Sequence, residues 1–354
     1  MLAVARRAVG GALSRVRQLT LERDPVLLLG RMGRWRWPWL VVGLALTAAV
    51  FLQLSIFAGA FEDTATARGM IGDDISQSVF PIDPAQPATF VLLVLTSLPF
   101  LLAALPAVVL VHGQSWRRVL SWGAGFQWRQ FFRTAGALLA LGIVGAGAGY
   151  IVEPQQYQFP ARSTFFLFWA LLALGVVFVQ SFGEEVLFRG YLVRWVGAVL
   201  PFRIPVTAAV IAVFVAGHLG NEDVRRDIAL NILYFVVVEA ISYALLFRTQ
   251  NLAASAGLHW MNNVMALMAP SLPGQPTALA VMIYTDPVYA AGGSRLLDVF
   301  THTAGGIGLA ALLTLLLWRR SPFYIEKAPV PVPAIVPAIA NAGGKPGAAA
   351  SEAR

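Results

Sequence analysis

The chain contains no cysteine. Thiol catalysis, disulfides and cysteine-ligated metal are therefore excluded. Charge is scarce as well: Asp, Glu, Lys and Arg make up 12% of the 354 residues, against 58% hydrophobic residues. A soluble domain is about 25% charged, so this is the composition of a polytopic membrane protein. Lysine is nearly missing, with Lys327 and Lys345 alone among 26 basic residues. That arginine bias points to a GC-rich bacterial genome and says nothing physical about function. There is no internal repeat, no glycine-rich nucleotide motif and no His-Glu-x-x-His helix of a metalloprotease. No nucleic-acid partner is expected, and the sequence does not speak to oligomeric state.

What is present is a series of apolar runs. About 20 such residues span a bilayer as a helix. Trp37–Phe61, Thr89–Val111, Thr134–Val152 and Ser163–Gly183 are uncharged candidates, the fourth continuing as helix to about Leu200. Ile204–Leu219, Ile228–Phe247, Leu252–Ala269 and Val299–Trp318 follow. The expected fold is therefore an all-α transmembrane bundle of about eight spans. Thr277–Ala291 is apolar but interrupted by Asp286 and Pro287, and reads as an interfacial or re-entrant piece. The glycines of Gly142–Gly149 read as helix-packing positions.

Residues 1–36 form a basic segment without the apolar core of a cleavable signal, suited to an anionic inner leaflet. Residues 37–160 hold the first helices, 161–270 a core, and 271–320 the interfacial piece and last span. Residues 321–354 are a Pro/Ala-rich tail that cannot bury a core and is expected to be disordered. Arginines cluster in the N-terminal segment, in loop 112–133, around Arg194–Arg203, at Arg248 and at Arg319-Arg320. Loop 62–88 instead carries Glu62, Asp63, Asp73, Asp74 and Asp83 against Arg68. Basic loops stay on the cytoplasmic side, so both termini are expected there, in a bacterial inner membrane. Tryptophans 35, 37 and 39 read as an interface belt.

The polar residues inside the apolar runs carry the functional signal. An isolated charge at membrane depth costs about 3 to 15 kcal/mol, so such groups persist when paired or when they carry chemistry. Glu184 and Glu185 adjoin the uncharged run Ser163–Gly183, and Arg189 follows. On an α-helix Glu185 and Arg189 share a face, whereas Glu184 is rotated by about 100° and points elsewhere. Glu185–Arg189 reads as a pair that makes burial tolerable, and Glu184 as the free carboxylate. A desolvated carboxylate is a stronger base than one in water, which suits a general base. The other reading is a Glu-Glu-Arg face that merely ends a span. His218 closes Phe214-Val215-Ala216-Gly217-His218, and alone it could equally be a packing histidine. His259 and Asn263, four apart, can face one ligand together or satisfy each other. Glu239 lies mid-span and reads first as a paired structural carboxylate, His112 and His302 as interfacial groups.

Glu-Glu-x-x-x-Arg, Phe-x-x-x-His and His-x-x-x-Asn, in this order on separate apolar helices, resemble the CPBP family of intramembrane proteases. That family includes the type II CAAX prenyl endopeptidases and the Abi bacteriocin-immunity-like proteins. The likeness covers about residues 164–268 and includes Phe188-Arg189-Gly190-Tyr191-Leu192. It implies that Glu184 activates water for attack on a peptide carbonyl, with Glu185 and Arg189 in support. It implies that His218 and His259 polarise water or hold a metal, and that Asn263 stabilises the oxyanion. Glu184, His218 and His259 could supply a three-ligand zinc site; a metal-free glutamate mechanism is the other possibility. The implied substrate is a membrane-associated peptide or protein. A non-proteolytic binding, scaffold or immunity protein on the same fold is the alternative. Reporter fusions at residues 75 and 340 should give opposite signals in a cellular topology assay, and matching signals would overturn the span count.

Overall fold

The computed structural model describes residues 37–72, 82–121, 125–161, 164–200, 202–221, 225, 228–269, 278–285 and 308. Within them the chain is a helical bundle. Helix α1 is Trp37–Ala67, α2 is Ala88–Val111, α3 is the short Arg117–Leu120 and α4 is Trp128–Val152. Helix α5 runs Phe166–Val199, α6 is Arg203–His218, α7 is Ile228–Thr249 and α8 is Ala253–Met268. Five of these (α1, α2, α4, α5 and α7) are long and apolar enough to cross a membrane; α6 is a shorter apolar helix. The expected span Val299–Trp318, His302, the basic N-terminal segment and the tail lie outside the described residues.

Helix boundaries follow local chemistry. Helix α1 carries Glu62 and Asp63 in its last turns rather than in the following loop. Nothing breaks the helix until Gly69, whose φ of 66° closes it with Met70 N–H donating to Ala65 O at 2.8 Å. Helix α2 contains Pro99 and Pro106, and its end, Ala107–Val111, widens into a π-turn. Proline withholds a backbone donor, and i→i+5 bonding is one way to continue the helix beyond it. Two two-residue strands, β1 (Tyr157–Gln158) and β2 (Ile283–Tyr284), pair antiparallel with Tyr157 opposite Tyr284. Leu279 and Ala280, within the segment expected to be interfacial or re-entrant, are buried.

Burial shows which surfaces face lipid and which face protein. Ile143, Val144, Ile151 and Val152 of α4 and Leu167, Phe168 and Leu171 of α5 are exposed apolar residues, as expected for helices solvated by lipid. Trp37 and Trp39 at the start of α1 are also exposed. The interior divides into two apolar clusters. One joins α2, α4, α5 and α8 through Phe90, Leu138, Val177, Leu258 and Val264. The other joins α2, α5, α6 and α7 through Val108, Phe188, Val210, Phe214 and Tyr243.

Helix α8 is the centre of the bundle. Its first turns read Ala253-Ala254-Ser255-Ala256-Gly257, all buried. Small residues let helix backbones approach closely where no hydrophobic effect drives association. At Gly257 a Cβ would collide with the backbone carbonyl of Phe131 in α4. Within Gly142–Gly149, Gly142 lies against Met265 and Gly149 against the Tyr157 ring, whereas a Cβ on Gly145 or Gly147 would meet nothing. The packing role expected of this glycine group thus falls on its two ends. Gly257→Ala should destabilise the bundle by about 1–3 kcal/mol, the range for overpacking a tight contact. Gly147→Ala should not destabilise it. Thermal unfolding in detergent compares the two.

Candidate functional site

The site forms where α5, α7 and α8 meet. Helix α5 is regular to Glu184, then turns π-helical from Glu185 to Leu192 and returns to α at Val193. The Val193 N–H donates to Phe188 O, five residues back. The wider turn changes the azimuth of everything after Glu184. A regular α-helix would splay the two glutamates apart; here both carboxylates reach one imidazole on α8.

His259 is that imidazole. Its Nδ1 lies 3.0 Å from Glu185 Oε1 and its Nε2 3.5 Å from Glu184 Oε2. Glu185 is fully buried and multiply engaged. Ser255, one turn before His259, donates its hydroxyl to Glu185 Oε2 at 2.7 Å. Arg189 forms an ion pair with Glu185 from four residues on. The second guanidinium nitrogen of Arg189 pairs with Glu239 of α7, also buried. The guanidinium lies 5.3 Å from the centroid of the Tyr243 ring, one turn after Glu239. A carboxylate so placed holds the Nδ1–H tautomer of His259 and leaves Nε2 as a lone pair directed at Glu184.

Glu184 is held differently. Its Oε1 accepts from the Gln180 amide, one helical turn earlier. Gln180 Oε1 in turn accepts from Asn263 Nδ2 at 3.0 Å, and Asn263 Nδ2 also donates to Ser181 Oγ at 3.1 Å. Asn262 donates to Asn263 Oδ1 and accepts from the Tyr234 hydroxyl of α7 at 2.9 Å. The second carboxylate oxygen, Oε2, is buried and makes no hydrogen bond among the described residues. It faces the lone pair of His259. Two acceptors side by side call for a donor between them, such as a water molecule.

Glu184, Glu185, Arg189, His259 and Asn263 are thus brought into one connected network. His259 and Asn263 do not bond each other; each bonds back to α5. Both amide hydrogens of Asn263 are engaged, so the oxyanion role implied by the resemblance requires one of them to be released. His218 stands apart. Its Nδ1 is 2.8 Å from Phe214 O, and its ring stacks on Phe214 at 4.3 Å and leans on Phe235. It makes no hydrogen bond to Glu184, His259 or Asn263 among the described residues, although it lies within electrostatic range of His259. Among the described residues no three His, Asp or Glu side chains group as a metal ion requires. The set Glu184, His218 and His259 therefore does not fit a zinc centre in this arrangement.

Three partners were not singled out from the sequence. Gln180 precedes Glu184 by four residues and Ser255 precedes His259 by four, so helical spacing from known site residues is the signal that finds them. Ser181 carries no such signal. His112, expected at an interface, is buried against Gly43, with Nε2 3.4 Å from the Tyr191 hydroxyl.

A polytopic helical bundle with a buried carboxylate–histidine–amide network is the class these features define. Residues 166–265 match the family model Rce1-like, type II CAAX prenyl endopeptidase. This core belongs to the CPBP/CAAX protease family. No curated protein and no solved structure matches the chain.

Arg189→Ala leaves Glu185 and Glu239 without their shared cation and should cost about 3–5 kcal/mol, the range for breaking a buried pair. Glu184→Gln keeps an acceptor for Gln180 and should leave the fold intact. Yield of folded protein and thermal unfolding in detergent check both, and equal loss in the two variants would contradict the division.

Proposed function

We propose that the protein is an endopeptidase that hydrolyses a peptide bond of a membrane-associated protein or peptide, using a water activated by Glu184. One observation carries the reading: Glu184 Oε2, buried and without a hydrogen bond among the described residues, faces His259 Nε2 while Glu185 occupies Nδ1. A water donating to Glu184 Oε2 and His259 Nε2 would turn its oxygen lone pair outward. Attack forms the bond between water oxygen and carbonyl carbon, and Glu184 takes the proton. Collapse of the tetrahedral intermediate breaks the C–N bond as Glu184 returns that proton to the leaving amine. Gln180, held by Asn263, orients Glu184; Glu185, held by Arg189 and Ser255, orients His259. His218 lines the same end of the site through α6 and acts on the substrate side. No step is routed through a metal, because the donor set does not gather. The substrate is approached from the bilayer or its surface, and both termini face the cytoplasm, a reading supported by the arginine distribution.

Purified protein in liposomes, offered quenched peptides tethered to lipid, tests this reading. Wild type should cleave at least one peptide, and Glu184→Gln should lose about 10²–10⁴-fold in turnover, the range for a general base. Metal analysis and chelators distinguish the two mechanisms: full activity without metal supports Glu184 alone, and loss restored by zinc rejects it. A folded wild type that binds peptides of this class without cleaving any supports the non-proteolytic binding alternative.

A further inference from the structure

Glu239 is used by none of the steps above, and it lies on a helix separate from all three family motifs. It is buried, and one of its oxygens meets the Arg189 nitrogen that does not face Glu185. We infer that Glu239 is a positioning residue for the hydrolytic site proposed above: it divides the Arg189 fork and so keeps Glu185 available to His259. The inference rests on that functional reading only for its effect on turnover.

The argument is one of donors and acceptors. A guanidinium and a carboxylate left to themselves form two parallel hydrogen bonds, fork to fork. Here Arg189 gives one nitrogen to Glu185 and the other to Glu239. Glu185 therefore keeps Oε2 for Ser255 and shares Oε1 with His259 Nδ1. With the Glu239 acceptor removed, the second Arg189 nitrogen is left buried without a partner. The nearest remedy is Glu185 Oε2, which Ser255 now occupies. Bidentate capture of Glu185 would then displace Ser255 and turn Oε1 from His259. His259 would lose the bond that holds its Nδ1–H tautomer, and Nε2 would cease to be a fixed acceptor beside Glu184. Tyr243 steadies the arrangement from the same helix face, with its ring against the guanidinium.

The test is a comparison of Glu239→Leu, which removes the acceptor, with Glu239→Gln, which keeps a carbonyl oxygen within reach of Arg189. Protein carrying ¹⁵N-labelled histidine is reconstituted, and the His259 resonances are assigned by their loss in His259→Gln. Wild type and Glu239→Gln should show a fixed Nδ1–H tautomer at His259, and Glu239→Leu should show it lost or averaged. In peptide cleavage, Glu239→Leu should lower kcat by about 10–100-fold, as for other partners that orient a functional histidine. KM should be little changed, and Glu239→Gln should restore most of the rate. Should Glu239→Leu fail to fold, Glu239→Asn is read in its place, being a methylene too short to reach Arg189. A folded Leu or Asn variant with the wild-type histidine signature overturns the inference. A shift in that signature supports it even if no peptide is ever cleaved, in which case the hydrolytic reading alone fails.

Discussion

Three buried carboxylates and one arginine constrain everything else in this bundle. Glu184, Glu185 and Glu239 are each at most 4% exposed, and Arg189 is 1% exposed. Such groups survive in an apolar interior only when each has partners, because the desolvation of an unpaired charge exceeds what packing returns. Arg189 answers this for Glu185 and Glu239 together and thereby ties α5 to α7. Ser255 and His259 complete Glu185 and tie α5 to α8. Gln180 and Asn263 do the same for one oxygen of Glu184. The network is thus both the polar glue of the bundle and the frame of its site. The one acceptor left without a hydrogen bond among the described residues of this group, beyond Glu239 Oε2, is the Glu184 oxygen that faces His259.

Two backbone features make that network possible. The small-residue start of α8 brings its axis against α4, with Gly257 on the Phe131 carbonyl. Ser255 and His259 then stand one turn apart on the face toward α5. The π-turn beginning at Glu185 supplies the second condition. Single π-turns occur often at functional sites because the wider turn re-aims side chains that an α-helix would separate. Here it lets adjacent glutamates approach the two nitrogens of one histidine. The surrounding aromatic cage, with Phe131, Phe178 and Trp260 in mutual ring contact, closes the α4–α5–α8 junction in apolar material.

Much of this was legible in the sequence. Apolar runs with sparse charge determine that the chain forms membrane-length helices, since the backbone in lipid must satisfy its own hydrogen bonds. The i, i+4 spacing of Glu185 and Arg189 determines that they can meet, and the three motifs in order determine the family of the core. Other features depend on contacts between residues far apart in the chain. That Glu239 shares Arg189 is decided by how α7 packs on α5. That His259 and Asn263 bond to α5 and not to each other is decided by the distance between α8 and α5, which the small residues set. The separation of Glu184 from Glu185 holds for an α-helix, and the π-turn undoes it. Spacing along one helix specifies which side chains can share a face; only the packing of helices decides which partner each of them finds.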